Sequence, residues 1–200
     1  MISSKKELQY YLKADAIAIG ANMKRPHLIS IYETDVIWKY QICLRKTEYY
    51  YNCKRHNPLG FFKTKFYQFR LFRKQVKTGI NVPINVFGPG FSISHIGPMV
   101  INGFARVGKN CRVHPFVTIG MDGRNDSSAI IGDNVYLSAG CKIIGEVSIA
   151  DDVCIGAGAV VTKSITEPHT TWGGVPARKI SNNGSGFPME RRGADIAKEF

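Results

Sequence analysis

Between residues 107 and 161 the apolar positions of this chain fall six apart. Val107, Val113 and Ile119 are followed, after one step of twelve, by Ile131, Leu137, Ile143, Ile149, Ile155 and Val161. The residue after a rung is often small, as at Gly108, Gly120, Gly132, Ser138, Ala150 and Gly156. The residue four after a rung is compact or β-branched, as at Cys111, Val117, Val135, Cys141, Val147, Val153 and Ala159. A helix repeats its apolar positions every ~3.6 residues and a half-buried strand about every two. Period six with a small corner residue predicts short strands stacked coil upon coil in a β-helix. The ladder is less regular at its start. Phe87 and Ile93 are six apart, but Ile93 and Ile101 are eight apart, and His95 lies in that irregular segment. The step of twelve spans residues 121–129, polar and glycine-containing, which read as a loop thrown out from the coil. Loops on a rigid solenoid commonly carry function.

The first 80 residues carry a different pattern. Ser4 and Glu7 form a capping-box spacing that predicts a helix running to about Gly20. A second helix is expected over about Thr34 to Lys54, with Ile37, Trp38, Ile42, Leu44 and Tyr49 as its apolar candidates. Asn57 and Pro58 suit the N-cap and first position of a third, which stops near Gly79. That third helix holds Phe61, Phe62, Phe66, Tyr67, Phe69, Leu71, Phe72 and Val76. Its charged residues are Lys63, Lys65, Arg70, Arg73, Lys74 and Lys77, with no acid. A basic aromatic amphipathic helix over 58–78 can lie on an anionic membrane. Packing against the base of the β-helix or against another subunit is the competing reading. Residues 181–200, polar and glycine-rich at first, read as a mobile tail. The chain therefore divides into a basic helical segment (1–80), a repeat domain (81–180) and a polar tail (181–200).

Charge sharpens this division. The net charge of +12 is concentrated: residues 1–80 hold 16 Lys and Arg against 5 Asp and Glu, and the remainder holds 11 against 10. Such a block can meet nucleic acid, an anionic membrane or an acidic substrate, or simply form a solvated helical surface. No motif stands behind nucleic-acid binding, and no nucleic-acid partner is expected. The five cysteines show no paired spacing, and Cys111 and Cys141 occupy the small fifth position of a hexapeptide, so they read as buried structural thiols. No CxxC or Cys/His cluster suggests zinc, and no metal is expected. Met1 to Glu7 contain no apolar signal core and no run approaches the ~18 apolar residues of a membrane span. The expectation is a reduced, cytoplasmic protein.

Three segments carry a likeness. They are the run Glu167-Pro-His-Thr-Thr-Trp-Gly-Gly-Val-Pro-Ala-Arg-Lys179, the segment Ile93-Ser-His-Ile-Gly-Pro-Met-Val-Ile101, and Val117-Thr-Ile-Gly120 with Ile131 to Gly140. On these, the chain resembles the serine acetyltransferase group of the hexapeptide-repeat acyltransferases over roughly Phe61 to Ile180. The resemblance implies a mainly β fold, a left-handed parallel β-helix preceded by an α-helical segment. It implies acetyl-CoA as acetyl donor and a homotrimer with active sites between neighbouring subunits; in some relatives trimers pair into hexamers. It places the pantetheine arm past Ser138, Ala139, Gly140 and Ala157, and the phosphates and adenine near Lys163, Gly174, Arg178 and Lys179. Cations beside phosphates also make physical sense alone.

Acetyl transfer to a hydroxyl needs a base, because an alcohol at neutral pH is a poor nucleophile. A neutral imidazole can take that proton. His95 matches the family base, and His114, one residue after a rung, is the candidate for a second site histidine. His27 and His56 read as surface residues, and His169 either contacts the coenzyme or caps a turn. The chain also departs from the family. Fifteen residues before the base, where the family has an orienting aspartate, stands Ile80, so a backbone carbonyl is the expected substitute. Ser94 replaces an aspartate, and Asp126, Ser127, Ser128 and Ala129 replace an Asp-Arg-His-Pro run. Ser94, Arg124 and Asp126 remain as acceptor-binding candidates. With the serine-reading charges reduced, the expected acceptor is a sugar hydroxyl of a surface-polysaccharide precursor. A serine O-acetyltransferase of cysteine biosynthesis is the alternative, and a non-catalytic β-helix assembly module the second.

Overall fold

The computed structural model describes residues 1–21, 26, 27, 29–123, 127–186 and 188–199. Three helices come first: α1 (Lys5–Ile19), α2 (Glu33–Cys53) and α3 (Pro58–Thr78). Their ends follow local chemistry. Ser4 Oγ accepts from Glu7 N–H at 3.1 Å, while the Glu7 carboxylate reaches back one residue further than a standard capping box, to Ser3 N–H and Oγ. Asn57 Oδ1 accepts from Gly60 N–H at 2.7 Å and caps α3 ahead of Pro58. Gly79 closes α3 with φ +73°, a left-handed conformation that glycine adopts without strain.

The rest is a three-sided left-handed parallel β-helix. One face stacks β1 (Ile80–Asn81), β3 (Met99–Ile101), β6 (Thr118–Gly120), β9 (Lys142–Ile144) and β12 (Val160–Val161). The next stacks β4 (Arg106–Val107), β7 (Ile130–Ile131) and β10 (Ser148–Ile149). The third stacks β2 (Ser92–Ile93), β5 (Arg112–Val113), β8 (Tyr136–Leu137), β11 (Cys154–Ile155), β13 (Thr171–Gly173) and the antiparallel β14 (Arg178–Ser181). Every rung of the six-residue ladder points inward, none more than 6% exposed, and the compact fifth-position residues fill the axis between them. All five cysteines are free; burial drives the Cys141 thiol up to about 12 and Cys111 well above its usual range, so both are inert packing groups.

Register exposes the two insertions. Ile93 pairs with Val113 and Ile101 with Ile119, so the turn between β2 and β3 holds two residues more than the turn below it. His95 sits in that enlarged turn. Between β6 and β7 the excess is six residues, the loop at 121–129. In each case the coil resumes in register, because consecutive coils are tied by parallel hydrogen bonds on either side of the insertion.

Helices and coil meet at a buried charge cluster. The Arg45 guanidinium contacts Asp15 (Nε to Oδ2, 2.8 Å) and Glu48 (Nη1 to Oε2, 3.0 Å), with all three side chains at most 2% exposed. It also donates to the carbonyls of Phe87 (2.9 Å) and Gly88 (2.7 Å) in the first coil. Asp15 Oδ1 accepts from Gly90 and Phe91 N–H, and Glu48 Oε1 from Asn85 N–H. Burial opposes the guanidinium charge, but the two carboxylates outweigh it and hold the Arg45 pKa above normal.

The C-terminal residues are docked, contrary to the mobile tail expected above. A short helix α4 (Gly193–Ile196) lies on α1, with Ala194 buried. Tyr10 Oη donates to Ala194 O at 2.8 Å, Asn110 Oδ1 accepts from Ala194 N–H at 2.8 Å, and Lys109 pairs with Asp195 at 2.8 Å. Polar composition here supplies specific partners, which is why it misled as a signal of mobility.

Arg45→Ala is expected to lower unfolding free energy by about 3–5 kcal/mol, because it leaves two buried carboxylates uncompensated. Urea denaturation checks this; a loss under about 1 kcal/mol would mean that the cluster does not hold the two halves together.

Candidate active site

One edge of the prism, the corner leading from the face of β2 to the face of β3, gathers most of the residues singled out by sequence. Successive coils place Ser94, His114, Ser138, Gly156 and Gly173 one above another. Ser94, His114, Ser138 and Gly156 each donate a backbone hydrogen bond to the coil below, at 3.0, 3.0, 3.0 and 2.7 Å. At a coil spacing of ~4.8 Å the column from Ser94 to Gly173 is roughly 19 Å long. Ala139, Gly140 and Ala157 follow on the same turns, with Gly140 donating to Pro115 O and Gly158 to Ala139 O.

His95 tops this edge. The two extra residues push its turn outward, and its side chain is 61% exposed. Its Nδ1 lies 3.0 Å from Glu33 Oε2, and Glu33 Oε1 accepts from Ile96 N–H at 2.6 Å. Glu33 is the first residue of α2, so the carboxylate arrives from the helical segment and grips both the ring and the backbone beside it. The Ile96 N–H bond, with His95 adding, holds the Glu33 carboxyl below its usual range, so it is ionised at neutral pH. An ionised acceptor on Nδ1 selects the tautomer that carries its proton there, which leaves the Nε2 lone pair facing out.

The expected backbone carbonyl is therefore replaced by a carboxylate 62 residues upstream. No local spacing announces Glu33, which stands one residue before the expected start of the second helix at Thr34. Ile80, where the family aspartate would stand, is fully buried in β1.

His114 is the next residue down the edge. Its ring centroid lies 6.2 Å from that of His95 in an edge-to-face arrangement, and its Nε2 lies 2.5 Å from Tyr136 Oη. Burial, then the Arg112 and His95 charges, lower the His114 pKa, so its ring is neutral at pH 7. A neutral His114 puts no positive charge beside the His95 ring. Tyr136 is a further member of the group that the sequence reading missed; it sits at the rung-minus-one position of β8, which points out of the coil.

The other candidates are distributed as follows. Lys163 and Arg178 line one cleft of about 140 Å³ with Trp172 and Pro176 below the last coil. Gly174, with φ +89°, turns the chain between Trp172 and Pro176, and its carbonyl accepts from Val160 N–H at 3.0 Å. Lys179 points elsewhere and is ion-paired with Glu167. The Ser94 hydroxyl is sealed from solvent with no hydrogen-bond partner among the described residues. His169 is on a different edge, paired with Asp152 at 2.6 Å, and acts as a turn cap. Arg124 and Asp126 lie outside the described residues; Ser127, beside them, donates to Glu146 at 3.0 Å. The loop leaves the prism one corner away from His95. Among the described residues no three His, Cys, Asp or Glu side chains converge as a metal site.

Comparison with known proteins follows the same lines. The family described as bacterial transferase hexapeptide (six repeats) matches residues 128–163. A serine acetyltransferase from Bacillus pumilus is 32% identical over 143 residues, 68% of this chain and 65% of that protein. One from Mycobacterium tuberculosis is 33% identical over 127 residues, 61% of this chain and 55% of that protein. The chain thus spans less than two thirds of the length of either relative. Among solved structures, a serine acetyltransferase from Brucella abortus superposes with a TM-score of 0.67 at 22% identity, covering 90% of this chain and 72% of the other. The soybean apoenzyme gives 0.68 at 24%, covering 88% and 70%. These likenesses show the fold.

Replacing Arg112 by Met removes one of the charges that disfavour imidazolium at His114. The His114 titration midpoint, followed by proton NMR, is expected to rise toward the ordinary histidine value. A midpoint that stays put would leave burial and His95 as the causes.

Proposed function

Because the chain belongs to the serine acetyltransferase-like hexapeptide-repeat family, we propose that it transfers acetyl from acetyl-CoA to a hydroxyl, with His95 as general base and serine as the acceptor. The observation that carries this reading is the His95–Glu33 pair at 3.0 Å, on the edge where the candidate coenzyme residues are stacked. Glu33 holds the Nδ1 proton, and Nε2 takes the proton of the acceptor hydroxyl as its oxygen attacks the thioester carbonyl carbon. The C–S bond then breaks, and the imidazolium returns the proton to the departing thiolate. Backbone N–H groups of the adjoining turn are the candidates to stabilise the tetrahedral oxyanion. No covalent enzyme intermediate is required, in keeping with the high thiol pKa values of Cys111 and Cys141.

The coenzyme would lie down the edge from Ser138 to Gly174, with Lys163 and Arg178 at its phosphate end. Lys179 would join them only by leaving Glu167. His95 and the loop at 121–129 leave the prism at different corners, so one acceptor can meet both only between two copies. That favours a trimer with sites shared between neighbours.

A second reading, a sugar hydroxyl as acceptor, rests on Ser94, Ser127 and Ser128 standing where charged residues are expected. The relatives reported above carry serine in their names, and none of those reported names a sugar, so serine takes precedence.

With millimolar L-serine, CoA release from acetyl-CoA is expected, reduced about 10²–10⁴-fold in His95→Ala. Glu33→Gln is expected to lower kcat at least about tenfold with little change in KM for acetyl-CoA, since it misorients the base without touching the coenzyme. His95-dependent release with a sugar acceptor but not with serine would transfer the assignment to the second reading. Release with neither, from protein that binds acetyl-CoA, would refute both.

A further inference from the structure

Helix α3 is attached to the body by a narrow strip. Gly60, Thr64, Leu71 and Thr78 are its buried residues, and Tyr67 stacks on Tyr50 of α2 at 4.9 Å. About half a helical turn away, Leu59, Phe62, Phe66, Phe69, Phe72 and Val76 form one continuous stripe, each 54–70% exposed. Contiguous apolar surface of this kind marks an interaction site. The packing expected against the base of the β-helix does not cover it.

The same helix carries six Lys and Arg residues and no acid. The charged heads of Lys65 and Arg70 lie over the Phe61 and Phe66 rings, each at 5.5 Å, so cations flank the aromatic surface. Beside the stripe, between α2 and α3, is a cleft of about 500 Å³ lined by Lys39, Lys46, Arg70 and Lys74, with Tyr67 among its walls and no carboxylate. Burial, with the like charges of Arg70, Lys39 and Lys77, lowers the Lys74 pKa. The cleft gathers positive charge, with Lys39 at its edge donating to Ser30 Oγ at 2.8 Å and acting on Asp35.

We propose that α3 docks the protein onto an anionic lipid surface, its phenylalanine stripe entering the headgroup–acyl boundary and the α2–α3 cleft taking lipid phosphates. A second copy of this face is the poorer occupant, because two such helices would oppose cation to cation. An anionic bilayer complements both the apolar stripe and the charge. No helix among the described residues is long and apolar enough to cross a membrane, so α3 lies in the surface. The inference is independent of the acceptor and of the catalytic assignment.

The test is co-sedimentation with phosphatidylcholine vesicles, with or without about one-third phosphatidylglycerol. The expected result is binding to the anionic vesicles only, weakened when salt is raised from ~0.1 M to ~1 M. Phe62→Ser/Phe66→Ser/Phe69→Ser is expected to lower partitioning at least about 100-fold, since burying one phenylalanine is worth about tenfold or more. Lys39→Glu/Arg70→Glu/Lys74→Glu is expected to remove the preference for anionic vesicles. Circular dichroism checks folding; if the triple phenylalanine variant unfolds, Phe69→Ala, expected to weaken binding about tenfold, replaces it. Absence of binding, binding indifferent to lipid charge, or binding unchanged in these variants would overturn the proposal. So would a drop in solution mass of the phenylalanine variant without lipid, which would make this face a contact between copies.

Discussion

A single buried guanidinium decides how the helical segment meets the coil. Arg45 cannot leave the interior without stranding Asp15 and Glu48, and the two carboxylates are themselves anchored to backbone N–H groups of the first coil. The pair is a poor measure of net attraction, but removing or displacing one partner leaves the others as uncompensated buried charges. The consequence runs along α2. With Arg45 fixed on the Phe87 and Gly88 carbonyls, the first turn of the same helix is carried to the enlarged turn at His95, and Glu33 meets the ring. The candidate base is thus positioned by a helix whose own position is set three turns away.

How far the sequence foretold this depends on how local each cause is. Helix ends were legible because capping acts over three or four residues, as at Ser4, Asn57 and Gly79. The coil was legible because every hexapeptide repeats the same demand, an aliphatic rung and a compact fifth residue. His95 could be picked out because the segment from Ile93 to Ile101 resembles the family's stretch around its base; the irregular step marks only an enlarged turn there. Glu33 could not, since its partner is 62 residues away and nothing in either segment encodes the meeting. Docking of the last residues was equally hidden; it depends on Tyr10 of α1 and on Lys109 and Asn110 of the turn between β4 and β5, far from it in sequence.

The two insertions share one physical permission. In a stacked coil each layer contacts only the layers above and below, so extra residues at a corner leave the ladder untouched. The prism can therefore carry a displaced histidine on one edge and a polar loop on the next at little expense to its core. Rigid faces and variable corners divide the labour between stability and chemistry.

A stack of parallel coils is in principle a template without end, since its last layer offers the same unpaired strands as every layer inside it. Here both ends are stopped. β14 enters the third face antiparallel, and the hairpin it closes also satisfies Val160 through Gly174 and Ala177. At the other end α1 and α3 lie across the first coil. Strand-by-strand growth along the axis into a filament is thereby blocked, and the side edges that hold His95 and the loop are left as the regular, uncapped surfaces of the prism.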